Sequence, residues 1–388
     1  MSNGSTNHHK LVDKFTYRSA FKYDKKGIKQ FLEKTCTKHT GLPLTEKEKK
    51  DLQALWKEMI EPYFSTDCPR KSSCSCQDKS YHASKPASEN GKLKPCCEKQ
   101  IRLTYNKSTK QFKLNPVMVH LHGIEIPVYS IHCALAAVLT ITLMPPNLSP
   151  NKIHDYAYCL ASLLGKWCFI IVDKDPFYFP AMVFVMCGTG TSSNSSSSNL
   201  STTLWSCGTS KSVILGVLDR YQHKLDKHAE RLMQSWRVGR QNMVDNAIGI
   251  SFNEEELPRS QPPRSKQALR KFLCMVPEKR REDAEGIQRI YEENMKLPEE
   301  EPTDTIWKFG DCAESVPIAL IGNTCQGYAI GIALKPGEIY ELVKNISKLD
   351  KIQPPGSIKS EPSCQICQWN FAGLQYKRNI EVHDIFEK

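Results

Sequence analysis

The sequence predicts an α/β protein, in which helices alternate with short apolar strands. Three observations support this fold class. Apolar residues recur at helical spacing over Thr45–Tyr63. Short apolar runs with the length of buried strands occur at Trp167–Val172 and Tyr328–Leu334. Segments with a helical pattern separate these runs along the chain, and such alternation is typical of the α/β class.

The composition is that of a globular protein with an uneven charge distribution. The chain has 388 residues, which is enough for two domains and a substantial core, and 40% of them are hydrophobic. The net charge is +11, and residues 1–115 alone hold 24 Lys and Arg against 12 Asp and Glu. This basic N-terminal region is compatible with contact to an anionic partner such as nucleic acid, or with a solubilising arm.

The sixteen cysteines bear on the cellular compartment. Residues Met1–Lys10 are polar, and no apolar segment of the kind found in signal peptides follows them. We therefore predict a cytoplasmic or nuclear protein, in which cysteines lie in the core or bind metal.

The first third of the chain contains two predicted helices and one cysteine-rich insert. The helices are expected at Lys26–Cys36 and Thr45–Tyr63. The insert, residues 65–99, contains five cysteines among Pro, Ser and Lys. Its C-x-C and C-C spacings fit no standard zinc finger, so an unstructured insert is preferred to a metal site. A β-hairpin is expected next, between Ile101 and Leu114.

An uncharged stretch, Ile126–Met144, is long enough to raise the question of a membrane span. Pro127, His132 and several Ser and Thr residues dilute it, so we predict a buried core helix and no membrane contact. A helix at Lys152–Leu164 and a strand at Trp167–Val172 are expected to follow. Together these elements predict a mixed, largely helical N-terminal region.

A domain boundary is predicted near residue 250, between an N-terminal region (1–250) of uncertain fold and a C-terminal domain (251–388). The first region also contains a serine-rich tract, residues 188–203, which is expected to be a flexible surface loop. A long helix is expected at Val213–Met243, and a Pro-rich loop at Phe252–Lys266 precedes the C-terminal domain.

Two cysteine motifs near the C-terminus are the strongest functional signal. Cys312-Ala313-Glu314 reads C-x-E, and Cys364 and Cys367 follow as C-x-x-C after a spacer of 52 positions. Three thiolates can hold one Zn²⁺ tetrahedrally and leave a fourth position for water. A carboxyl at Glu314 is placed to transfer protons to and from the reacting groups.

Helix N-termini are expected at both motifs. Asp311 and Glu314 have the spacing of a capping box, so Cys312 is predicted to open one helix, and Cys364 with Cys367 to open another. The partial positive charge of a helix N-terminus favours thiolate over thiol. A structural zinc site and unrelated cysteines remain the alternative interpretations of the same residues.

Residues 240–388 resemble the cytidine-deaminase-like superfamily, and are most similar to deaminase-like proteins expanded in fungi with C-A-E and C-x-x-C motifs. The resemblance implies a three-layer α/β/α domain, zinc ligands at Cys312, Cys364 and Cys367, and a proton shuttle at Glu314. Three features depart from the family pattern: Ser363 precedes the first cysteine of the pair, Pro317 follows the first motif closely, and only 21 residues follow Cys367.

These observations predict a zinc-dependent hydrolytic deaminase acting on a nucleobase, nucleoside or nucleic acid. The alternative is a catalytically inactive deaminase-like binding module that keeps a structural zinc site. A second triplet, His228-Ala229-Glu230, also reads H-A-E, but it lies among charged residues inside a predicted helix. We therefore prefer Cys312 to His228 as the metal ligand.

Overall fold

The computed structural model shows a mixed α/β protein. The residues that it describes are 10–12, 15–39, 42, 44–64, 103–106, 111–121, 123–142, 150–171, 180, 182–191, 201–210, 235–249, 265–276, 278–295, 297–299, 311–335 and 364–384. Within these ranges the strands form one four-stranded sheet and three two-stranded sheets.

The N-terminal part is a small group of strands and helices. They are β1 (Lys10–Val12), β2 (Phe15–Thr16), α1 (Tyr17–Phe21), α2 (Lys25–Lys38), α3 (Glu46–Leu55) and α4 (Glu61–Phe64), with one π-helical turn (Trp56–Ile60) between α3 and α4. Both helices predicted in this region are confirmed. Local hydrogen bonds fix their starts: Asp24 accepts from the backbone N–H of Gly27, and Thr45 and Glu48 form a capping box.

Two hairpins and two apolar helices follow. The hairpins pair β3 (Leu103–Asn106) with β4 (Gln111–Leu114), and β5 (Val117–Leu121) with β6 (Ile124–Val128). The helices are α5 (Ile131–Thr142) and α6 (Pro150–Ile171). The uncharged stretch that begins at Ile126 thus supplies the end of β6 and then a buried helix. In the part of the chain that is described, no helix is both long and apolar enough to cross a membrane.

The strand predicted at Trp167–Val172 is wrong, because α6 continues without interruption to Ile171. Trp167, Cys168 and Phe169 are all buried although they point to different sides of the helix. A helix that is apolar all round has no 3.6-residue pattern, and its sequence cannot be distinguished from that of a buried strand.

The main sheet contains β7 (Val183–Thr191), β8 (Ser201–Thr209), β9 (Cys325–Leu334) and β10 (Ile380–Asp384), in the spatial order β10-β9-β7-β8. The pairs β7–β8 and β7–β9 are antiparallel, whereas β9 and β10 are parallel. The strand predicted at Tyr328–Leu334 is confirmed as β9, and it is central because it has a neighbour on each side. A boundary at residue 250 would divide this sheet, since β7 and β8 precede it and β9 and β10 follow it.

The two ends of the serine-rich tract are strands and not loop, and residues 192–200 lie outside the described residues. Its first residues, Gly188–Thr191, extend β7, and its last residues, Ser201–Thr203, begin β8. Small residues are compatible with strands where a neighbouring strand supplies the backbone hydrogen bonds. Composition alone therefore overestimated the loop at both ends.

Helices cover both faces of the sheet. Those of the second half are residues 235–248 (α7), α8 (Lys266–Met275), α9 (Glu278–Asn294), α10 (Ser315–Thr324) and α11 (Gln365–Arg378). Alternate residues of β7 enter different clusters: Val183 and Val185 pack with α5 and α6, whereas Phe184 and Met186 pack with α8, α9 and α11. The sheet is therefore buried on both faces, as in other α/β folds.

Several predicted elements lie outside the described residues. These are the cysteine-rich insert 65–99 and most of the helix at Val213–Met243, including His228-Ala229-Glu230. The described part of that last helix is α7, which is helical from residue 235, where the description resumes, to residue 248, beyond the predicted end.

Candidate metal centre

The first cysteine motif lies in the turn that leads into α10. The helix begins at Ser315, with Glu314 as its N-cap residue, so Cys312 and Ala313 precede the helix. The predicted helix start at Cys312 is therefore three residues too early. The N-cap residue is therefore Glu314 and not Asp311, whose carboxylate accepts a 2.8 Å hydrogen bond from Arg237 Nε.

Pro317 is compatible with this late helix start. It is the third residue of α10. The backbone N–H groups of the first turn of a helix have no partner within the helix, so a residue without an N–H is tolerated there. The apparent conflict between the proline and the first motif is thus removed by the observed position of the helix.

The second cysteine motif opens α11 as predicted. Cys364 is the N-cap residue of this helix, and Cys367 lies in its first turn. Residues three positions apart on a helix project from the same side, which brings the two thiols together. Trp369 and Phe371, further along the same helix, are each 4% exposed.

The two motifs meet in space. Cys312 Sγ lies 3.2 Å from Cys364 Sγ, and Cys364 Sγ lies 3.5 Å from Cys367 Sγ. All three sulfurs are within 4.8 Å of one another. Two Zn–S bonds of about 2.3 Å at a tetrahedral angle would place sulfurs about 3.8 Å apart. The cysteines therefore form a group that can hold a metal ion after small side-chain rotations.

The thiols are held in a poorly solvated environment. Cys312 and Cys367 are buried, and Cys364 is partly exposed. The contact with the Cys364 thiol, together with burial, raises the pKa of Cys312 well above its ordinary value. Burial is the main cause that raises the pKa of Cys367. Without a cation, Cys312 and Cys367 are therefore disfavoured as thiolates, and a bound metal would reverse this preference.

Glu314 lies beside the thiol group. Glu314 is only 5% exposed, and the negative charge of its carboxylate is one of the causes that raise the pKa of Cys312. Glu314 is near the three cysteines, but it is not a member of the group that could hold the metal ion. The structure thus brings together all four residues that the sequence singled out: Cys312, Glu314, Cys364 and Cys367.

Helix α7 supports the turn that carries Cys312, and the sequence did not reveal this. Arg237 pairs with Asp311, whose side chain is fully buried. Arg240 donates from Nη2 to the carbonyl oxygens of Thr209 and Cys312. Arginines in a helical pattern are usually solvent-exposed, so a single sequence offers no sign that these two face the interior.

Gly208, at the end of β8, allows the turn to approach the sheet. A Cβ atom built on Gly208 would lie 2.0 Å from the carbonyl oxygen of Ala313 and 2.7 Å from Cδ of Pro317. No side chain fits at such distances. The close approach of β8 to the turn therefore requires glycine at this position.

Comparisons of the chain with protein-family models, with curated proteins and with solved structures gave no match. The geometry of this centre and the chemistry of its side chains are therefore the features of the molecule that bear on its function.

Proposed function

We propose that the protein is a zinc-dependent hydrolytic deaminase acting on a nucleobase, either free, as a nucleoside or within nucleic acid. The observation that carries the proposal is the convergence of three sulfurs beside the buried residue Glu314. Cys364 Sγ lies 3.2 Å from Cys312 Sγ and 3.5 Å from Cys367 Sγ. Thiols and a carboxyl in this arrangement correspond to the ligands and the proton-transfer group of the zinc deaminases.

The donor set fits zinc. Thiolates are soft ligands that select Zn²⁺, Cu⁺ or iron–sulfur clusters, and Zn²⁺ is the member of this group suited to hydrolysis because it has no redox chemistry. Three protein ligands are also the number found at catalytic zinc sites, whereas structural sites have four. Cys312, Cys364 and Cys367 would hold the ion, and when bound it would supply the Lewis acidity that makes water nucleophilic near pH 7.

Glu314 would act as both base and acid. Its carboxylate would accept one proton from water and pass it to the ring nitrogen, and it would then accept the second proton, from the hydroxyl group added to the ring carbon, and pass it to the departing amino group. Because the side chain is almost completely buried, bulk water competes poorly for these proton transfers.

The fold is compatible with this function. We propose that the main sheet, with helices on both faces, is the central layer of a three-layer α/β/α deaminase-like domain. The N-terminal ends of α10 and α11, where the two motifs lie, meet at the cysteine cluster. Helix N-termini stabilise negative charge, which suits thiolates and a developing anion. The basic residues 1–115 would contact the phosphates of a polymeric substrate or another anionic partner.

The alternative function is a binding module in which zinc has only a structural role. It is supported by the same cysteine cluster, since three thiols can stabilise a fold without catalysis. The two functions differ in what Glu314 does. The test is ammonia release from a panel of nucleobases, nucleosides and oligonucleotides, measured for zinc-loaded wild type and for Glu314→Gln. Release by the wild type and its loss in a variant that keeps zinc support the enzyme, whereas no release from any substrate supports the binding module.

A further inference from the structure

A buried arginine contacts the backbone of Cys312, one of the three clustered cysteines. Arg240 is 1% exposed, and its guanidinium group lies 4.6 Å from the Trp236 ring centroid. Nη2 donates to the carbonyl oxygens of Thr209 and Cys312, whereas Nε has no hydrogen-bond partner among the described residues. Among the residues that the structure describes, no Asp or Glu forms an ion pair with Arg240.

Arg237, one turn earlier in α7, shows the contrast. Its Nε lies 2.8 Å from Oδ1 of Asp311, so the two opposite charges compensate each other. A buried cation that lacks such a partner is strongly unfavourable, and backbone carbonyl dipoles offset only part of the cost. Negative charge near Arg240, in addition to that of Glu314 beside Cys312, would therefore lower the cost of burying this cation.

The cysteine cluster supplies that charge when it holds a metal. Three thiolates and one divalent cation have a net charge of −1, ionised Glu314 beside them adds −1, and Arg240 contributes +1. The hydrogen bond from Arg240 to the carbonyl of Cys312 places the guanidinium beside one of the three ligand residues. The Arg240 guanidinium also donates to the carbonyl oxygen of Thr209, and it thereby connects Cys312 to the end of β8.

We infer that Arg240 is a positioning residue and the counter-charge of the metal centre. It holds the turn of Cys312 against β8, and its charge stabilises the metal-bound form over the metal-free form. This inference rests on the metal site of the proposed function, but it does not depend on whether the centre is catalytic. It assigns to α7 a role in metal retention that neither cysteine motif indicates.

The test compares metal binding by wild type, Arg240→Met and Arg240→Lys. Affinities for Zn²⁺ are measured by competition with a chromophoric chelator, and Co²⁺ replaces zinc so that the sulfur-to-cobalt charge-transfer absorption reports thiolate ligation. Loss of an outer-shell partner typically lowers metal affinity by about 10- to 100-fold. We expect a loss in this range for Arg240→Met and a smaller loss for Arg240→Lys, which keeps the charge but not the two-carbonyl geometry.

Arg378→Met is the control. Arg378 Nε donates to the carbonyl oxygen of Ala247 in α7 at 2.7 Å, so it also bonds a backbone carbonyl, but its side chain is exposed. It lies at the opposite end of α11 from Cys364, about 20 Å away along the helix axis. This variant should bind Zn²⁺ and Co²⁺ as the wild type does.

Thermal unfolding with and without metal distinguishes a counter-charge role of Arg240 from a packing role. A packing role lowers the unfolding temperature of both forms equally, whereas a counter-charge role reduces the increase that metal binding produces. Equal zinc affinity in wild type and Arg240→Met, or an equal loss in Arg378→Met, would overturn the inference. Zinc binding without ammonia release would refute the deaminase while leaving this inference intact, and a wild type that binds no metal would refute both.

Discussion

Cys312 and Cys364 place their sulfur atoms 3.2 Å apart although 52 positions separate them in the chain. The first lies in the turn before α10 and the second caps α11. The meeting of two helix N-termini at one group of thiols is the basis of the functional proposal, and it leads to predictions for metal binding, chemistry and stability.

Replacing Cys364 and Cys367 with alanine should abolish zinc retention, because one remaining thiol is a weak ligand. The measurement is the metal content of purified protein by mass spectrometry. Cys325→Ala is the control, since Cys325 is also buried and lies at the opposite end of α10, outside the cluster. Wild type and the control should contain about one equivalent of zinc, and zinc that persists in the double variant would refute the site.

Glu314→Gln should keep zinc and lose activity. The amide has nearly the shape of the carboxyl but cannot take up and return a proton, and such groups contribute about 10²- to 10⁴-fold to rates. The measurement is the rate of ammonia release together with the zinc content of the same sample. A variant that retains at least a tenth of the wild-type rate would show that another group transfers the protons.

Gly208→Ala should destabilise the protein and weaken zinc binding. The added methyl group would meet the carbonyl oxygen of Ala313 at 2.0 Å, and overpacking of this kind costs about 1–3 kcal/mol. The measurement is the free energy of unfolding in urea, with and without zinc.

Gly123→Ala is a contrast for that experiment. A Cβ atom there meets nothing within 4 Å, and only the positive φ of 85° opposes it. Its cost should be about 1 kcal/mol, with zinc affinity unchanged. If both variants bound zinc as tightly as the wild type, the contact between β8 and the turn would have no role in the centre.

The free energy of unfolding should decrease as the pH rises from 5 to 8, in part because of Asp245 in α7. Burial raises the pKa of Asp245 to about 8, from 3.8, and the carboxyl accepts a hydrogen bond from Gln241 Nε2. Between these two values the folded state binds a proton that the unfolded state does not, so the free energy of unfolding decreases as pH rises. The stability contributed by this group is complete below about pH 4 and is lost as pH rises through 8.

Asp245→Asn tests this pH dependence. The amide stays neutral at every pH, and its oxygen can accept the same hydrogen bond from Gln241. Urea unfolding at pH 5, 6, 7 and 8 should give a smaller decrease for the variant than for the wild type. Parallel curves for the two proteins would show that Asp245 is ionised in the folded state across this range.

The sequence predicted the parts of this structure that depend on local pattern or on local chemistry. The helices α2 and α3, the strand β9 and the start of α11 follow from periodicity and capping. All four residues of the candidate site were also identified, because a metal site restricts residue type and spacing. Their spatial convergence could only be predicted through the resemblance to a known family.

Features that depend on long-range contacts were not predictable. The strand expected at Trp167–Val172 is helical because α6 is buried on all sides, and no periodic signal distinguishes the two states. Asp311 was expected to cap a helix, but Arg237, 74 positions earlier, takes its carboxylate. Nothing in a single sequence indicates that α7 packs beside the turn of Cys312.

The pairing of β7 with β9 has a consequence for protein fragments. A polypeptide starting at residue 251 would contain all three thiols and Glu314, yet it would lack β7, β8 and the arginines of α7. One edge of β9 would then have no hydrogen-bonding partner, and such an edge promotes aggregation. Complementation between two separately expressed pieces, 1–250 and 251–388, should therefore be needed to restore zinc binding, even though the ligands all come from the second piece.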